Sequence, residues 1–292
     1  MTTTDDLSHT ALVFPGQGSQ RAEMRELVME RCPHLIELAT AEVGCDPFDR
    51  VGDGTAFQQP ALYSAAIAGW MAAGAPEAGW FAGHSLGELA AAAASGAISI
   101  EDGLRLAVIR GRVMQAAAEA DPGGMLAVLG ETSGVPALAS SLGLTVANDN
   151  APDQIVLSGP ADEIREARVR FKELGVRTIR LPVAGAFHSP AMATAVPEFR
   201  AALREVEVRE RPRLFSSISA RPFTDLREGL LSALTRPVRW RDTVLRLRDH
   251  GVTRFLESGP GEVLSGLVRR TIEGVEAGPL SDPANLGETA DV

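Results

Sequence analysis

Residues 80–89 read WFAGHSLGEL, a short apolar run that ends in glycine and sets a single serine between Gly83 and Gly87. An alanine-rich stretch with Gly96 near its end follows. The apolar run reads as a buried strand and the alanines as a helix closed by that glycine. Gly83, Ser85 and Gly87 form G-x-S-x-G, the sharp strand-to-helix turn that exposes a serine oxygen at a helix N-terminus. Free amides and the positive end of the helix dipole there favour an anionic tetrahedral intermediate. The spacing alone arises by chance, and the same serine would serve as a plain helix N-cap. The strand before it and the helix after it carry the weight.

Working outward, residues 11–14 (ALVF) run into PGQG, which reads as a second buried strand and a tight loop; an ordinary turn accounts for PGQG equally well. SIED at 99–102 has the form of a capping box, and it opens a long helix through GLRLAVIRGRVMQAAAEA that DPGG stops. From Met125 the texture changes to short alternating pieces: MLAVLG, LTVAND, QIVLSG and RTIRLPV as strands, with helices through SGVPALASSLG and ADEIREARVRFKELG. Four short strands with two helices predict a ferredoxin-like insert. Further on, TAVPEFRAALREV and RDTVLRLRDHG read as helices, RLFSSIS and TRFLESG as strands, before PGEVLSGLVRRTI. The expectation is an α/β main domain over 1–121 and 185–276, the insert over 122–184, and a polar, disordered tail over 277–292.

The chain has 292 residues, 45% of them hydrophobic, enough for a substantial core. Its net charge of −10 argues against a broad phosphate-tracking surface, so nucleic acid is a poor candidate partner. Lys172 is the only lysine, and the bland account of this arginine bias is coding composition. Two cysteines, Cys32 and Cys45, suit a reduced compartment rather than a disulfide framework. The opening MTTTDDLSHT lacks the basic and apolar regions of a secretory signal, and no apolar run approaches the ~20 residues that span a bilayer. The expectation is a soluble cytoplasmic protein.

A serine nucleophile needs a base. Of the five histidines, His9 and His34 lie in N-terminal sequence, His84 adjoins the serine and His250 ends a helix. His188 stands in LPVAGAFHSPAM, directly after an alternating strand, where loops present side chains to a shared cleft. A structural or solvated histidine is the ordinary reading of such a position. On the long helix, Leu106, Arg110, Val113 and Ala117 share one face, which places a guanidinium among apolar neighbours. A cation so placed needs an anion, ordinarily a protein carboxylate.

VFPGQGSQ, GHSLGE, VIRGRVMQ, GAFHSPAM and ESGPGEVLSGL occur in the order and approximate spacing of a known family. The chain resembles malonyl-CoA:acyl carrier protein transacylases and the acyltransferase domains of polyketide synthases, over nearly its whole length except the tail. The resemblance implies a serine hydrolase-like α/β core with a parallel sheet plus the ferredoxin-like insert. It implies malonyl transfer from coenzyme A to the phosphopantetheine thiol of an acyl carrier protein, by ping-pong through an acyl-serine, for fatty acid or polyketide synthesis. Ser85 would be the nucleophile and His188 the general base, oriented by a main-chain carbonyl at Ala233, where the family commonly has glutamine. The main-chain amides of Gln17 and Leu86 would form the oxyanion hole. Arg110 would grip the malonyl carboxylate as a bidentate pair. Phe187, in GAFH, would disfavour an α-methyl branch and so select malonyl.

Gln59, His84, Met114, Asn148 and Asn150 are further substrate-side candidates by position, although Met114, with Met125 and Phe199, also suits the core. The resemblance implies no metal and no bound cofactor; malonyl-CoA is substrate, and phosphopantetheine comes with the carrier. An acidic carrier would dock on a local basic patch drawn from Arg165, Arg168, Arg170, Arg177, Arg180, Arg209, Arg211, Arg213, Arg236 and Arg239. A monomer is the family's default. The competing readings are a thioester or acyl hydrolase with the same Ser–His dyad, and an inactive carrier-binding homologue.

Overall fold

The computed structural model describes residues 7–210 and 213–281. Its strands are β1 Thr10–Phe14, β2 Trp80–Gly83, β3 Gly123–Leu129, β4 Thr145–Ala151, β5 Gln154–Pro160, β6 Arg177–Arg180, β7 Leu214–Ser216, β8 Arg221–Pro222, β9 Arg254–Glu257 and β10 Glu276–Pro279. The helices are α1 Met24–Arg31, α2 Pro33–Val43, α3 Thr55–Ala72, α4 Gly87–Ala94, α5 Ile100–Ala120, α6 Val135–Ser141, α7 Ala161–Glu173, α8 Val196–Glu205, α9 Leu226–Ser232, α10 Trp240–Asp249 and α11 Val263–Thr271.

Two sheets organise these elements. The larger has six strands in the order β10-β9-β1-β2-β7-β8, parallel except for the β7–β8 pair. Its central strand β1 is buried along its whole length, as a parallel strand covered on both faces must be, and TALVF is apolar accordingly. The carboxyl ends of β1 and β2 sit side by side, with Phe14 in register with Gly83, so PGQG and the Ser85 turn emerge at one edge. Open α/β sheets place their ligands at such an edge.

The second sheet has four antiparallel strands in the order β4-β5-β3-β6. With α6 and α7 it has the β-α-β-β-α-β connectivity predicted from the alternating pieces after Met125. This unit closes its own small core around Leu126, Val128, Leu157, Ile164 and Phe171. Its β4 edge is tied to the main sheet's side by backbone bonds, Asp149 N to Val238 O at 2.8 Å and Val238 N to Ala147 O at 2.9 Å, and by an Arg241–Asp149 ion pair at 2.6 Å.

One expectation fails at the C-terminus. Residues 277–279, expected in the tail, belong with Glu276 to strand β10, parallel to β9, with Leu280 buried behind it. An edge strand of a parallel sheet is held by backbone hydrogen bonds, here Glu276 N to Thr253 O and Leu280 N to Glu257 O, so polar side chains and a proline do not forbid it. The rest of the expected tail, 282–292, lies outside the described residues. No helix among the described residues is long and apolar enough to cross a membrane. No cluster of His, Cys, Asp or Glu among them could hold a metal ion. Cys32 and Cys45 are both free thiols.

Candidate active site

The turn that carries Ser85 is built by close backbone contact. A Cβ added to Gly87 would stand 2.0 Å from the carbonyl oxygen of Phe14, one on Gly83 would stand 2.0 Å from the carbonyl carbon of Gly87, and one on Gly16 would stand 2.7 Å from the carbonyl oxygen of His84. These glycines let the β1 loop and the β2 turn press together, and His84 N donates to Phe14 O at 3.0 Å across the join. The serine takes a φ of +55°, a left-handed conformation that costs a side-chain-bearing residue energy and is held here by its surroundings. Helix α4 begins at Gly87 and presents its N-terminus to the hydroxyl.

His188 shares that strain, with φ of +58° in the loop between β6 and α8. Its Nε2 is 2.8 Å from Ser85 Oγ, so residues 103 positions apart form one hydrogen-bonded pair. The imidazole is buried, and burial together with the nearby Arg110 charge pushes its pKa down to about 3. It is therefore neutral near pH 7, with Nε2 free to accept the serine proton. The backbone at Ala233 and Arg236 favours the protonated ring, yet Nδ1 is buried without a partner at hydrogen-bond geometry. The Ala233 backbone expected to orient the ring thus acts on it without closing a hydrogen bond of full geometry.

Arg110, on α5, reaches the same hydroxyl: Nη2 donates to Ser85 Oγ at 3.2 Å and Nη1 to Gln59 Oε1 at 2.8 Å. The side chain is 2% exposed. It makes no ion pair with any carboxylate among the described residues, so the ordinary expectation of a protein counter-ion fails. Desolvation lowers its pKa to about 10, opposed by the field of Glu88, and the group stays cationic. A buried guanidinium whose partners are a neutral amide and a neutral hydroxyl has donors to spare for an incoming anion.

Several other candidates converge on one cavity of about 300 Å³ lined by Gln17, His84, Ser85, Asn148, Asn150, Phe187 and His188, among others. His84 Nε2 and Asn150 Oδ1 are 2.8 Å apart, so the two residues bind each other across the join between the sheets. Burial pushes the His84 pKa down, keeping that ring neutral. Among the described residues neither the Gln17 nor the Leu86 main-chain amide has a hydrogen-bond acceptor. Gln59 and Met114 stand elsewhere: both are buried off the cavity wall, Gln59 holding Arg110 while its Nε2 donates to Thr55 Oγ1 at 2.9 Å and lies 3.4 Å from the Met114 sulfur. They were expected on the substrate side; neither lines this cavity, and nor does Arg110, beside which Gln59 stands. Met125 lines the cavity and Phe199 is core.

Glu88 is a further buried group at the site, absent from the sequence-derived candidates. It lies in the first turn of α4, 1% exposed, and its Oε1 accepts from Ser217 N at 2.7 Å and Ser217 Oγ at 2.9 Å. Its pKa is pushed up to about 7, chiefly by burial, against those hydrogen bonds and the Arg110 charge. The signal was present: a glutamate in an otherwise apolar helix opening, GELAAAAA, needs a buried partner.

Comparison with known proteins adds an independent line. A family model described as an acyl transferase domain matches residues 49–286. The chain is 40% identical over 291 residues to the polyketide biosynthesis protein ThaF of Burkholderia thailandensis, covering 92% of this chain and 25% of that protein. It is 34% identical to a malonyl CoA-acyl carrier protein transacylase of Bacillus subtilis, covering 96% of each. Among solved structures, a malonyl-CoA:acyl carrier protein transacylase from Xanthomonas oryzae pv. oryzae superposes with a TM-score of 0.87 at 35% identity, over 96% of both chains. The chain therefore spans a quarter of the first of these relatives and nearly the full length of the other two.

Proposed function

The chain belongs to the acyl transferase domain family, and from that premise we propose that it moves a malonyl group from coenzyme A to the phosphopantetheine thiol of an acyl carrier protein, in fatty acid or polyketide synthesis. The observation that carries the malonyl assignment is Arg110, a buried cation that forms no ion pair with a carboxylate among the described residues and donates to the Ser85 hydroxyl itself. A simple hydrolase of neutral acyl groups has no use for that charge.

In the proposed mechanism Ser85 Oγ attacks the thioester carbon as its proton passes to His188 Nε2. The tetrahedral oxyanion is held by the amides of Gln17, in the loop after β1, and Leu86, at the start of α4, each such donor being worth ~3 kcal/mol in the transition state. The C–S bond then breaks, the coenzyme A sulfur takes the proton from the imidazolium, and a malonyl ester remains on Ser85. The carrier's thiol repeats the sequence in reverse, giving its proton to His188 and taking the acyl group, and the serine regains the proton. Arg110 holds the distal carboxylate in both halves, and Phe187 borders the α-carbon. His84 and Asn150 lock the wall between the two sheets.

The carrier is expected to approach through a groove that shares Ala127, Gln154 and Leu181 with the catalytic cavity and is rimmed by Arg177. Of the candidate docking arginines, Arg165, Arg170, Arg209 and Arg239 are committed to Asp162, Glu173, Glu207 and Asp242. Arg168, Arg177, Arg180, Arg213 and Arg236 pair with no acidic side chain among the described residues, and they are the better candidates for an acidic partner. Arg211 lies outside the described residues.

Intact-mass measurement after brief mixing with malonyl-CoA tests the proposal. One malonyl adduct is expected on the parent, none on Ser85→Ala, and loss of preference over acetyl-CoA on Arg110→Ala. An adduct that persists without Ser85 refutes the assignment.

A further inference from the structure

We propose that Arg110 restrains Ser85 in the empty enzyme and that the carboxylate of an incoming acyl thioester releases it, so that the site selects carboxylated acyl groups at the chemical step as well as in binding. The inference rests on the transferase reading above and adds to it a second job for the same cation.

The serine oxygen is engaged on both sides. It donates its proton toward His188 Nε2 at 2.8 Å and accepts from Arg110 Nη2 at 3.2 Å. A lone pair that accepts from a guanidinium is a lone pair withdrawn from attack, and hydrogen bonds with an ionised partner are stronger than neutral ones. The guanidinium is held in place from its other side: Nη1 donates to Gln59 Oε1, and Gln59 Nε2 donates to Thr55 Oγ1. Release therefore requires no swing of the side chain. Nη2 needs only to exchange a neutral hydroxyl for a carboxylate oxygen, and a buried cation with no ion-paired carboxylate among the described residues favours that exchange.

The same exchange acts on the base. The Arg110 charge disfavours the imidazolium of His188, and a carboxylate seated on Arg110 cancels that field. One ion pair thus frees the nucleophile and strengthens its base together. A thioester with no carboxylate, such as an acetyl group, leaves both restraints in force.

Labelling of Ser85 by methanesulfonyl fluoride, a small neutral electrophile, tests this on the intact protein: the Oγ–S bond forms, the S–F bond breaks, fluoride leaves and the hydroxyl proton passes to His188. Formate serves as the free carboxylate, titrated against chloride at constant ionic strength, with the rate read by intact mass. The expected result is a saturable rise of about tenfold in the parent, the loss of one charge-assisted hydrogen bond from the ground state. Arg110→Ala should label at the raised rate without formate and show no response to it. A parent rate that formate leaves unchanged or slows overturns the inference, whatever the variant does. Malonyl-CoA run in parallel separates the two claims: an adduct on Ser85 beside a flat formate response sinks only the restraint, whereas a missing adduct beside a formate-stimulated rate sinks only the malonyl reading.

Discussion

Replacing Glu88 by glutamine should stabilise the protein increasingly as the pH rises from 4.5 to 7.5. The carboxyl is buried in the first turn of α4, its Oε1 crowded by Ser217 and Ser216 donors and its Oε2 without any partner. Its pKa stands at about 7 against an ordinary 4.5. Between those values the folded chain keeps a proton that the unfolded chain has released, so stability falls with rising pH across that window and is level above it. At ~1.4 kcal/mol per pH unit the gap amounts to ~3 kcal/mol, a large share of a typical folding free energy. Glutamine keeps an acceptor for Ser217 and carries no charge, so it does not pass through this transition. His188, whose folded pKa lies below its unfolded one, works in the opposite sense, adding stability as pH rises from about 3 toward 6.5, but it does so in both proteins and cancels in the difference. Urea unfolding of parent and variant at four pH values reads the result. The variant-minus-parent stability should grow by ~3 kcal/mol between pH 4.5 and 7.5. A difference that stays flat across that range would refute the account of Glu88 as a desolvated, proton-holding carboxyl.

Two further outcomes are expected. Gly87→Ala places a Cβ 2.0 Å from the Phe14 carbonyl, backbone against backbone, and should cost more than ~3 kcal/mol of stability and abolish Ser85 acylation; thermal melting with wild-type-like stability would contradict the packing described. Phe187→Ser removes a ring from the cavity wall and should improve kcat/KM for methylmalonyl-CoA relative to malonyl-CoA by roughly 10- to 100-fold, the worth of ~1–3 kcal/mol for one methyl, in competition assays; an unchanged ratio would remove Phe187 as the proposed selecting wall.

The parts of the site legible in the sequence are those whose geometry is local. G-x-S-x-G between an apolar run and an alanine-rich run specifies a turn because no larger residue fits where Gly83 and Gly87 stand. Arg110 was visible as a charge on an apolar helix face. Its partners were not, since Gln59 comes from α3 and Ser85 from the β2 turn, and periodicity within α5 says nothing about what packs against it. The same limit hid Glu88, whose partners lie 128 and 129 residues away. Strand β10 escaped because an edge strand needs backbone partners more than an apolar pattern.

By itself, then, the sequence determined the order of strands and helices around the Ser85 turn, the change of texture at the insert, and the short set of residues able to do acyl chemistry, because backbone sterics and hydrophobic period act over a few neighbouring positions. Tertiary structure alone decided that Ser85, His188 and Arg110 meet at one oxygen, that Arg110 forms no ion pair with a carboxylate among the described residues, and that His84 binds Asn150 across two sheets. Those facts depend on burial and on distances between segments far apart in the chain, which take their values only when the cores have closed.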